Sequence, residues 1–299
     1  MNIVRTLKKI APSLSFILLF VFCTPSYARE EKYCVASLPC PVLNTPDFRS
    51  VLGGRDGKTV KVDQKGLIRE LEFIALPGTL FEIIDETKKE SYSILKVKTS
   101  EYPSSIPLFI DSRFVRFSRE CPPEREKYIY SQNRIISSMA SMKGHPYMWG
   151  GNYVDGIRQL PEFYPPSGKI SPKMLSLWRL EGVDCSGLIY QASGGYTPRN
   201  TSSMLFFGER VEILGLSAEE IALKVKPLDL IVWQGHVVIV LSSDTTIEST
   251  HPEGVIVSAL VPRLKKIMAE RTPANIHSKN SKKTFVIRRW HRFGQKTGF

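Results

Sequence analysis

Short hydrophobic runs alternate with polar turns along residues 30–118. β-prone runs at 58–62, 79–85, 92–98 and 107–117 are separated by Gly, Pro and charged positions, a pattern typical of short strands joined by turns. Their close, even spacing predicts a small β-barrel over residues 30–118.

The pattern changes after residue 118. The stretch "SRECPPERE" has the Pro and charge of a domain edge, and we assign 119–125 to a linker. Residues 126–144 carry apolar positions at helical intervals and end at Gly144. The last part is β-rich again, and the predicted runs are 229–234, 236–242, 245–250, 255–260 and 284–290.

Residues 1–28 predict a cleaved signal peptide. Arg5, Lys8 and Lys9 precede an apolar segment at 13–22, and "SYA" (26–28) provides a small-x-small cleavage site before Arg29. A lipid anchor on Cys23 is the alternative, although Phe stands before it where small residues are preferred. We therefore expect a soluble protein that is periplasmic or secreted.

Four cysteines remain after cleavage, in a compartment that allows disulfides. Cys34, Cys40 and Cys121 belong to the first part of the chain and Cys185 stands apart. One bridge among the first three is expected, but the spacing does not choose the pair.

The net charge of +12 is concentrated at the C-terminus. Residues 262–299 hold eleven Lys and Arg against the single acid Glu270. We interpret this segment as a basic tail that either contacts an anionic envelope surface or is simply solvated. Nucleic acid is not an expected partner, because the segment contains no binding motif.

Cys185 has the setting of a nucleophile. Cys185, Leu188, Ile189 and Ala192 follow one helical face, and Asp184 before them is a good N-cap residue. A thiol in the first turn meets free N–H groups and the positive helix end, which favour the thiolate. A buried structural cysteine is the competing interpretation.

His236 is the candidate base, because it heads a strongly apolar strand after Gly235. A hairpin between 236–242 and 245–250 would bring Glu248 beside it. There the carboxylate would accept the Nδ1 proton while the other ring nitrogen faces the thiol. His251 is the competing third residue, but it falls in the following turn.

Five blocks in this order resemble the NlpC/P60 family of cell-wall cysteine peptidases over roughly residues 126–290: "PYMWGG", "DCSG", "PRNTSSM", "KPLDLIVW" and "GHVVIV". The resemblance implies an α+β, papain-like domain (126–299), with the cysteine helix packed on an antiparallel sheet. The ending "PLFIDSRFV" of the first part resembles a bacterial SH3-like domain. Such a domain is often found on cell-wall enzymes.

The resemblance also implies residue roles. The nucleophile falls on Cys185, the base on His236 and the third polar residue on Glu248, where the family more often has His, Asn or Gln. The substrate and oxyanion positions fall on Tyr147, Trp149, Asp184, Ser186 and Asn200. Two further departures are Met204 in place of a Gln, and Asn200 where members that require a free L-Ala amine tend to have Asp.

Residues 152–183 form an insertion much longer than the usual family connection. We expect a lid or a substrate wall there, with Phe163, Tyr164 and Trp178 as its apolar contacts.

The implied activity is hydrolysis of a peptidoglycan stem-peptide bond, typically γ-D-glutamyl–meso-diaminopimelate, without metal or organic cofactor. Amidase or acyltransferase chemistry on the same scaffold is one alternative. A non-catalytic wall-binding protein is the other.

Overall fold

The computed structural model describes residues 31–278 and 283–291. The predicted signal peptide (1–28) and the final basic positions (292–299) lie outside the described residues. The described chain is a mixed α and β structure with two large antiparallel sheets. The papain-like and SH3-like assignments and the domain boundaries remain predictions.

The N-terminal sheet has seven strands in the order β3-β2-β6-β5-β4-β1-β7, and all its pairings are antiparallel. Its strands are β1 (Tyr33–Ala36), β2 (Cys40–Leu43), β3 (Leu71–Ala75), β4 (Leu80–Lys88), β5 (Ser93–Lys98), β6 (Leu108–Asp111) and β7 (Val115–Ser118), with helix α1 (Phe48–Val51) after β2. The runs predicted at 79–85, 92–98 and 107–117 coincide with β4, β5 and β6–β7.

The prediction of a strand at 58–62 is wrong, because the structure has no strand there. Val60 is buried, and the Lys61 amide donates to the Val51 carbonyl at 2.9 Å. The run is therefore anchored to the last residue of α1 and joins no sheet. Its alternation comes from one inward-facing valine between exposed lysines.

The expected disulfide is also absent from the described chain, because Cys34, Cys40 and Cys121 are free thiols. Cys34 and Cys40 lie in the N-terminal core, whereas Cys121 is exposed. Burial raises the pKa of Cys34 to about 12 and that of Cys40 well above its usual range. These two thiols therefore behave as small hydrophobic side chains.

The insertion packs on the N-terminal core. It contains β8 (Asn152–Tyr153), α3 (Leu160–Phe163), α4 (Pro172–Trp178) and β9 (Gly182–Val183). Trp178 is fully buried and Tyr164 nearly so, in one cluster with the core of the N-terminal sheet. The Tyr164 hydroxyl also donates to Asp111 in β6 at 2.5 Å. Trp178 and Tyr164, which we expected to contact substrate as part of a lid, instead pack against the N-terminal sheet and stabilise that half of the protein.

The second large sheet has the order β10-β16-β11-β12-β13-β14, with β15 parallel to β16. Its strands are β10 (Glu209–Val211), β11 (Leu230–Trp233), β12 (His236–Val240), β13 (Thr245–Thr250), β14 (Gly254–Ala259), β15 (Thr272–Pro273) and β16 (Thr284–Arg289). The helices of this half are α2 (Gln132–Ser141), α5 (Cys185–Ala192), α6 (Thr201–Met204), α7 (Ala218–Lys224) and α8 (Leu260–Met268).

Both faces of this second sheet are covered by helices. Val237 and Ile239 share a core with α2 and α5, whereas Val238 and Val240 share another with α7 and α8. Because successive side chains of a strand point to opposite faces, the unbroken apolar sequence of β12 fills both cores. The helix that begins at Cys185 is thereby fixed against β12 and β13.

The basic C-terminal segment is not a simple tail. Most of helix α8 and all of strand β16 fall within residues 262–299 and are integral parts of the second half. Arg289 binds Asp229 at 2.6 Å, and the Nε of Arg288 donates to the Leu205 carbonyl at 2.6 Å. Several of the charges assigned to an envelope contact are therefore used inside the fold. Within the described ranges, no helix has the length and apolar content needed to span a bilayer.

Candidate active site

Cys185 is the first residue of α5. The Asp184 carboxylate accepts from the Gly187 amide at 2.7 Å and caps the helix. The amides of Cys185 and Ser186 lie in the first turn, where N–H groups have no acceptor within the helix. Only glycine fits at position 187, because a Cβ there would come within 1.9 Å of the Gly151 carbonyl oxygen.

A buried arginine holds the capping aspartate. The two terminal nitrogens of Arg199 lie 3.1 and 2.7 Å from the two carboxylate oxygens of Asp184. Arg199 also donates to the Ser186 hydroxyl at 2.9 Å and to the Asn152 side-chain oxygen at 2.9 Å. Asn152 in turn makes two hydrogen bonds with the backbone of Ile74 in β3. This network ties the start of α5 to the N-terminal sheet.

His236 begins β12 and faces Glu248 of β13. The antiparallel register of these strands pairs Ile239 with Ile247 and Val240 with Thr246. His236 Nε2 and Glu248 Oε2 lie 2.7 Å apart, and the Glu248 side chain is only 2% exposed. His251 is exposed in the turn after β13, with its ring against Tyr147. The hairpin therefore brings Glu248 to the imidazole.

The imidazole is oriented the opposite way from our sequence-based expectation. The ring nitrogen beside Glu248 is Nε2, not Nδ1, and Cys185 is near enough to the imidazole to raise the pKa of His236. The sequence could not distinguish the two nitrogens, because their roles depend on the direction from which α5 approaches the strand.

The protonation of this group follows from its partners. Burial acts to lower the pKa of His236, but the hydrogen bonds and charges of Cys185 and Glu248 outweigh it and raise the pKa to about 9. Burial acts to raise the pKa of Glu248, yet His236 and Arg263 lower it to about 2. At neutral pH the imidazole is therefore a cation held against a carboxylate.

The other predicted site residues fall into two groups. Tyr147 lies beside the site, since its backbone forms a bridge to Val183, two residues before Cys185. Burial and then the charges of Asp184 and Cys185 raise the pKa of its hydroxyl. Trp149 is 37% exposed, with the Arg69 guanidinium 4.2 Å from its ring. These two aromatic side chains remain candidates for substrate contact.

Three predicted substrate residues are engaged within the protein. The Asp184 carboxylate and the Ser186 hydroxyl belong to the buried Arg199 network. The side-chain oxygen of Asn200 caps α6 by accepting from the Ser203 amide at 3.1 Å. Their contacts support local structure.

Sequence analysis missed two arginines of this site. Arg199 stands inside the block "PRNTSSM", but nothing in that block shows that Asp184 is its partner. Arg263 binds Glu248 and was assigned to the basic tail because it lies in a run of cations. The position of Arg263 near the start of an amphipathic helix was the one feature of the sequence that could have indicated a buried partner.

Among the residues that the structure describes, no group of three His, Cys, Asp or Glu side chains is arranged to hold a metal. The site brings together a thiol, an imidazole and a carboxylate that contacts the imidazole. Together these groups have the chemistry needed for nucleophilic acyl transfer.

No protein-family model matches this chain, and no curated protein matches it. Among solved structures it is similar to an NlpC/P60 family protein from Bacillus cereus, with a TM-score of 0.33 and 13% identity. That match covers 88% of this chain and 64% of the other, so the chain spans less than two thirds of that protein.

The chain is also similar to the solved structure of RipD from Mycobacterium tuberculosis, which is described as a non-catalytic NlpC/p60 domain protein adapted to peptidoglycan binding. The TM-score is 0.32 and the identity 20%, over 53% of this chain and 98% of that one. At TM-scores of this size neither likeness assigns a function.

Proposed function

We propose that this protein is a cysteine peptidase that hydrolyses a bond in peptidoglycan stem peptides. The observation that carries the proposal is the position of His236 between Cys185, at the start of a helix, and the buried carboxylate of Glu248. A nucleophile, a base and a group that orients the base are the components of covalent acyl transfer.

The proposed reaction has two halves. The Cys185 thiolate bonds to the carbonyl carbon, and the negative charge on oxygen is received by first-turn amides, including that of Cys185. The intermediate collapses with cleavage of the C–N bond, and the Nδ1 proton of His236 passes to the leaving amine. Water, deprotonated by His236, then attacks the thioester carbonyl, and cleavage of the C–S bond releases the carboxylic acid and restores the Cys185 thiolate beside the protonated His236.

The substrate class rests on the family resemblance of the five sequence blocks. It favours the γ-D-glutamyl–meso-diaminopimelate bond, and the signal-like residues 1–28 favour export to the compartment where this polymer lies. The exposed Trp149 and the nearby Tyr147 are proposed substrate contacts.

Defined stem peptides provide the test. The mature protein is incubated with each peptide and the products are identified by mass spectrometry, beside Cys185→Ser and the matched control Cys121→Ser. Cys121 is an exposed free thiol remote from His236 in sequence. We expect cleavage by the wild type and by Cys121→Ser, and none by Cys185→Ser.

Other results would redirect the proposal. Identical products from the wild type and Cys185→Ser would rule out the cysteine mechanism. Binding of peptide without turnover in every variant would favour the wall-binding alternative, and release of a non-peptide amine or acyl transfer would favour the other two chemistries.

A further inference from the structure

Arg263 grips the Glu248 carboxylate with two nitrogens. Its Nε lies 2.5 Å from Oε1 and its Nη2 lies 2.9 Å from Oε2, the oxygen that also faces His236. The Arg263 side chain is 17% exposed and that of Glu248 2%. Two parallel contacts of this kind fix the plane of a carboxylate as well as its place.

Helix α8 sets the position of the arginine. Leu260, Leu264 and Ile267 of α8 are buried against the outer face of the second sheet. Their spacing defines one face of the helix and leaves Arg263 beside it, toward β13. The arginine is thus held in place by the packing of α8.

Glu248 needs such a partner for a physical reason. A glutamate side chain has three rotatable bonds, and an unpaired buried carboxylate is strongly destabilised. One hydrogen bond to an imidazole leaves an oxygen unsatisfied and the carboxylate plane free to turn. Arg263 satisfies the free oxygen and removes that rotation.

We propose that Arg263 is a positioning residue of the catalytic site, which sets the orientation of Glu248 and, through Glu248, that of His236. The inference rests on the proposed function, since it concerns the reactivity of Cys185. It adds a fourth member to the group, contributed by an element outside the cysteine helix and the histidine hairpin.

Other charges face this group. A cavity of about 420 Å³ opens on the side of Glu248 and Arg263 away from the thiol. The charged and titratable groups around the site are Cys185 from α5, His236 from β12, and Glu253, Lys266, Glu270 and Arg271 from the cavity wall. The side chains that shift the pKa values of His236 and Glu248 are Cys185, Arg263 and these two residues themselves, so the pH response of the site is governed by these inner members.

The test is the pH dependence of Cys185 alkylation by iodoacetamide, read by peptide mass spectrometry, with exposed Cys121 as the internal reference. The assay needs no substrate. If wild-type Cys185 reacts no faster than Cys121 at neutral and lower pH, the proposed function fails before Arg263 is tested.

With an active wild type, Arg263→Gln should reduce Cys185 labelling at neutral pH about tenfold, the lower range for loss of a supporting contact. The alkaline limit of the profile should move to lower pH, because a misaligned Glu248 holds the imidazolium less well. Arg263→Lys keeps the charge but lacks the two-pronged contact, and we expect it to restore less than half of the lost rate. Complete restoration would contradict an orienting role.

A double-mutant cycle separates positioning from stability. If Arg263 acts through Glu248, adding Arg263→Gln to Glu248→Gln should change labelling by less than about twofold. Multiplied losses in the double variant, or a wild-type pH profile in Arg263→Gln, would overturn the inference. The double variant leaves no unpaired charge, so the lysine and double variants decide the question even if Arg263→Gln does not fold.

Discussion

Two of the buried carboxylates in the described part of the chain belong to the candidate active site, and each is held by an arginine from a different segment. Asp184 is bound by Arg199 with its shortest contact at 2.7 Å, and Glu248 by Arg263 at 2.5 Å. In both pairs the carboxylate is buried and hydrogen-bonded at both oxygens. Each pair therefore consists of a buried carboxylate and an arginine that contacts both of its oxygens.

They differ in what else the carboxylate contacts. The remaining partners of Asp184 are the Gly187 amide and the Ser186 hydroxyl, neither of which changes charge near neutral pH. The remaining partner of Glu248 is His236, whose pKa it helps to raise. The Asp184–Arg199 pair therefore supports the start of helix α5, whereas the Glu248–Arg263 pair acts on the protonation of His236.

The largest expected effect on stability comes from the Asp184 pair. Arg199→Met should lower the free energy of unfolding by about 3–5 kcal/mol, because it leaves a buried carboxylate without its cation. Urea denaturation measures the change. The matched control is Arg210→Met, whose pair with Glu212 is exposed on both sides and should contribute less than about 1 kcal/mol. Equal losses in the two variants would contradict the structural role of Arg199.

The largest effect on catalysis should come from the other pair. Glu248→Gln is expected to lower stem-peptide hydrolysis about a hundredfold, the lower range of what general acid–base catalysis contributes. Asp184→Asn keeps a capping oxygen, so the folded fraction should retain most of its activity while losing stability. Steady-state rates corrected for folded protein check both. A greater loss of activity in Asp184→Asn would reverse the distinction.

A smaller effect is expected at the link between the halves. Asn152→Ala removes the partner of the Ile74 backbone and of Arg199, and should cost about 1–3 kcal/mol for buried unsatisfied groups. Asn275, which accepts from the Ile213 and Leu214 amides at 2.7 and 2.8 Å, is partly exposed and gives the control Asn275→Ala. Water can replace its contacts, so a smaller loss is expected in the same denaturation assay.

The finest distinction is in the pH dependence of stability. The pKa of Glu248 falls from 4.5 to about 2, so its contribution is present above pH 4.5 and is lost as pH falls toward 2. The pKa of His236 rises from 6.5 to about 9, so its contribution is complete below pH 6.5 and is lost as pH rises toward 9. Unfolding curves of Glu248→Gln across pH should have a shallower acid slope than those of the wild type, since other carboxylates with lowered pKa values, such as Asp63, still contribute. An unchanged slope would show that Glu248 is not one of its sources.

Local patterns predicted much of this arrangement. The helix start at Cys185 followed from an N-cap aspartate and an apolar face, and the approach of Glu248 to His236 followed from a hairpin between two short strands. These features depend on neighbours in sequence. The block "PRNTSSM" also contained Arg199, but nothing in it identified Asp184 as the partner of Arg199.

The remaining features are set by tertiary packing. Arg263 is fifteen residues from Glu248 in sequence, and only the packing of α8 brings them together. The same holds for Trp178 and Tyr164, whose apolar character indicated contact but not whether it would be with substrate or with the N-terminal core. The run at 58–62 had strand-like alternation without a strand to pair with.

The central proposal is that a cationic His236, held by Glu248, is the acid–base partner of Cys185. The direct measurement is the pKa of His236, followed by NMR through its ring protons in the wild type and in Cys185→Ser. We expect His236 to remain protonated to about pH 9 in the wild type and to lose its proton at lower pH in the variant. Titration near its ordinary value of 6.5 in both proteins would contradict the account.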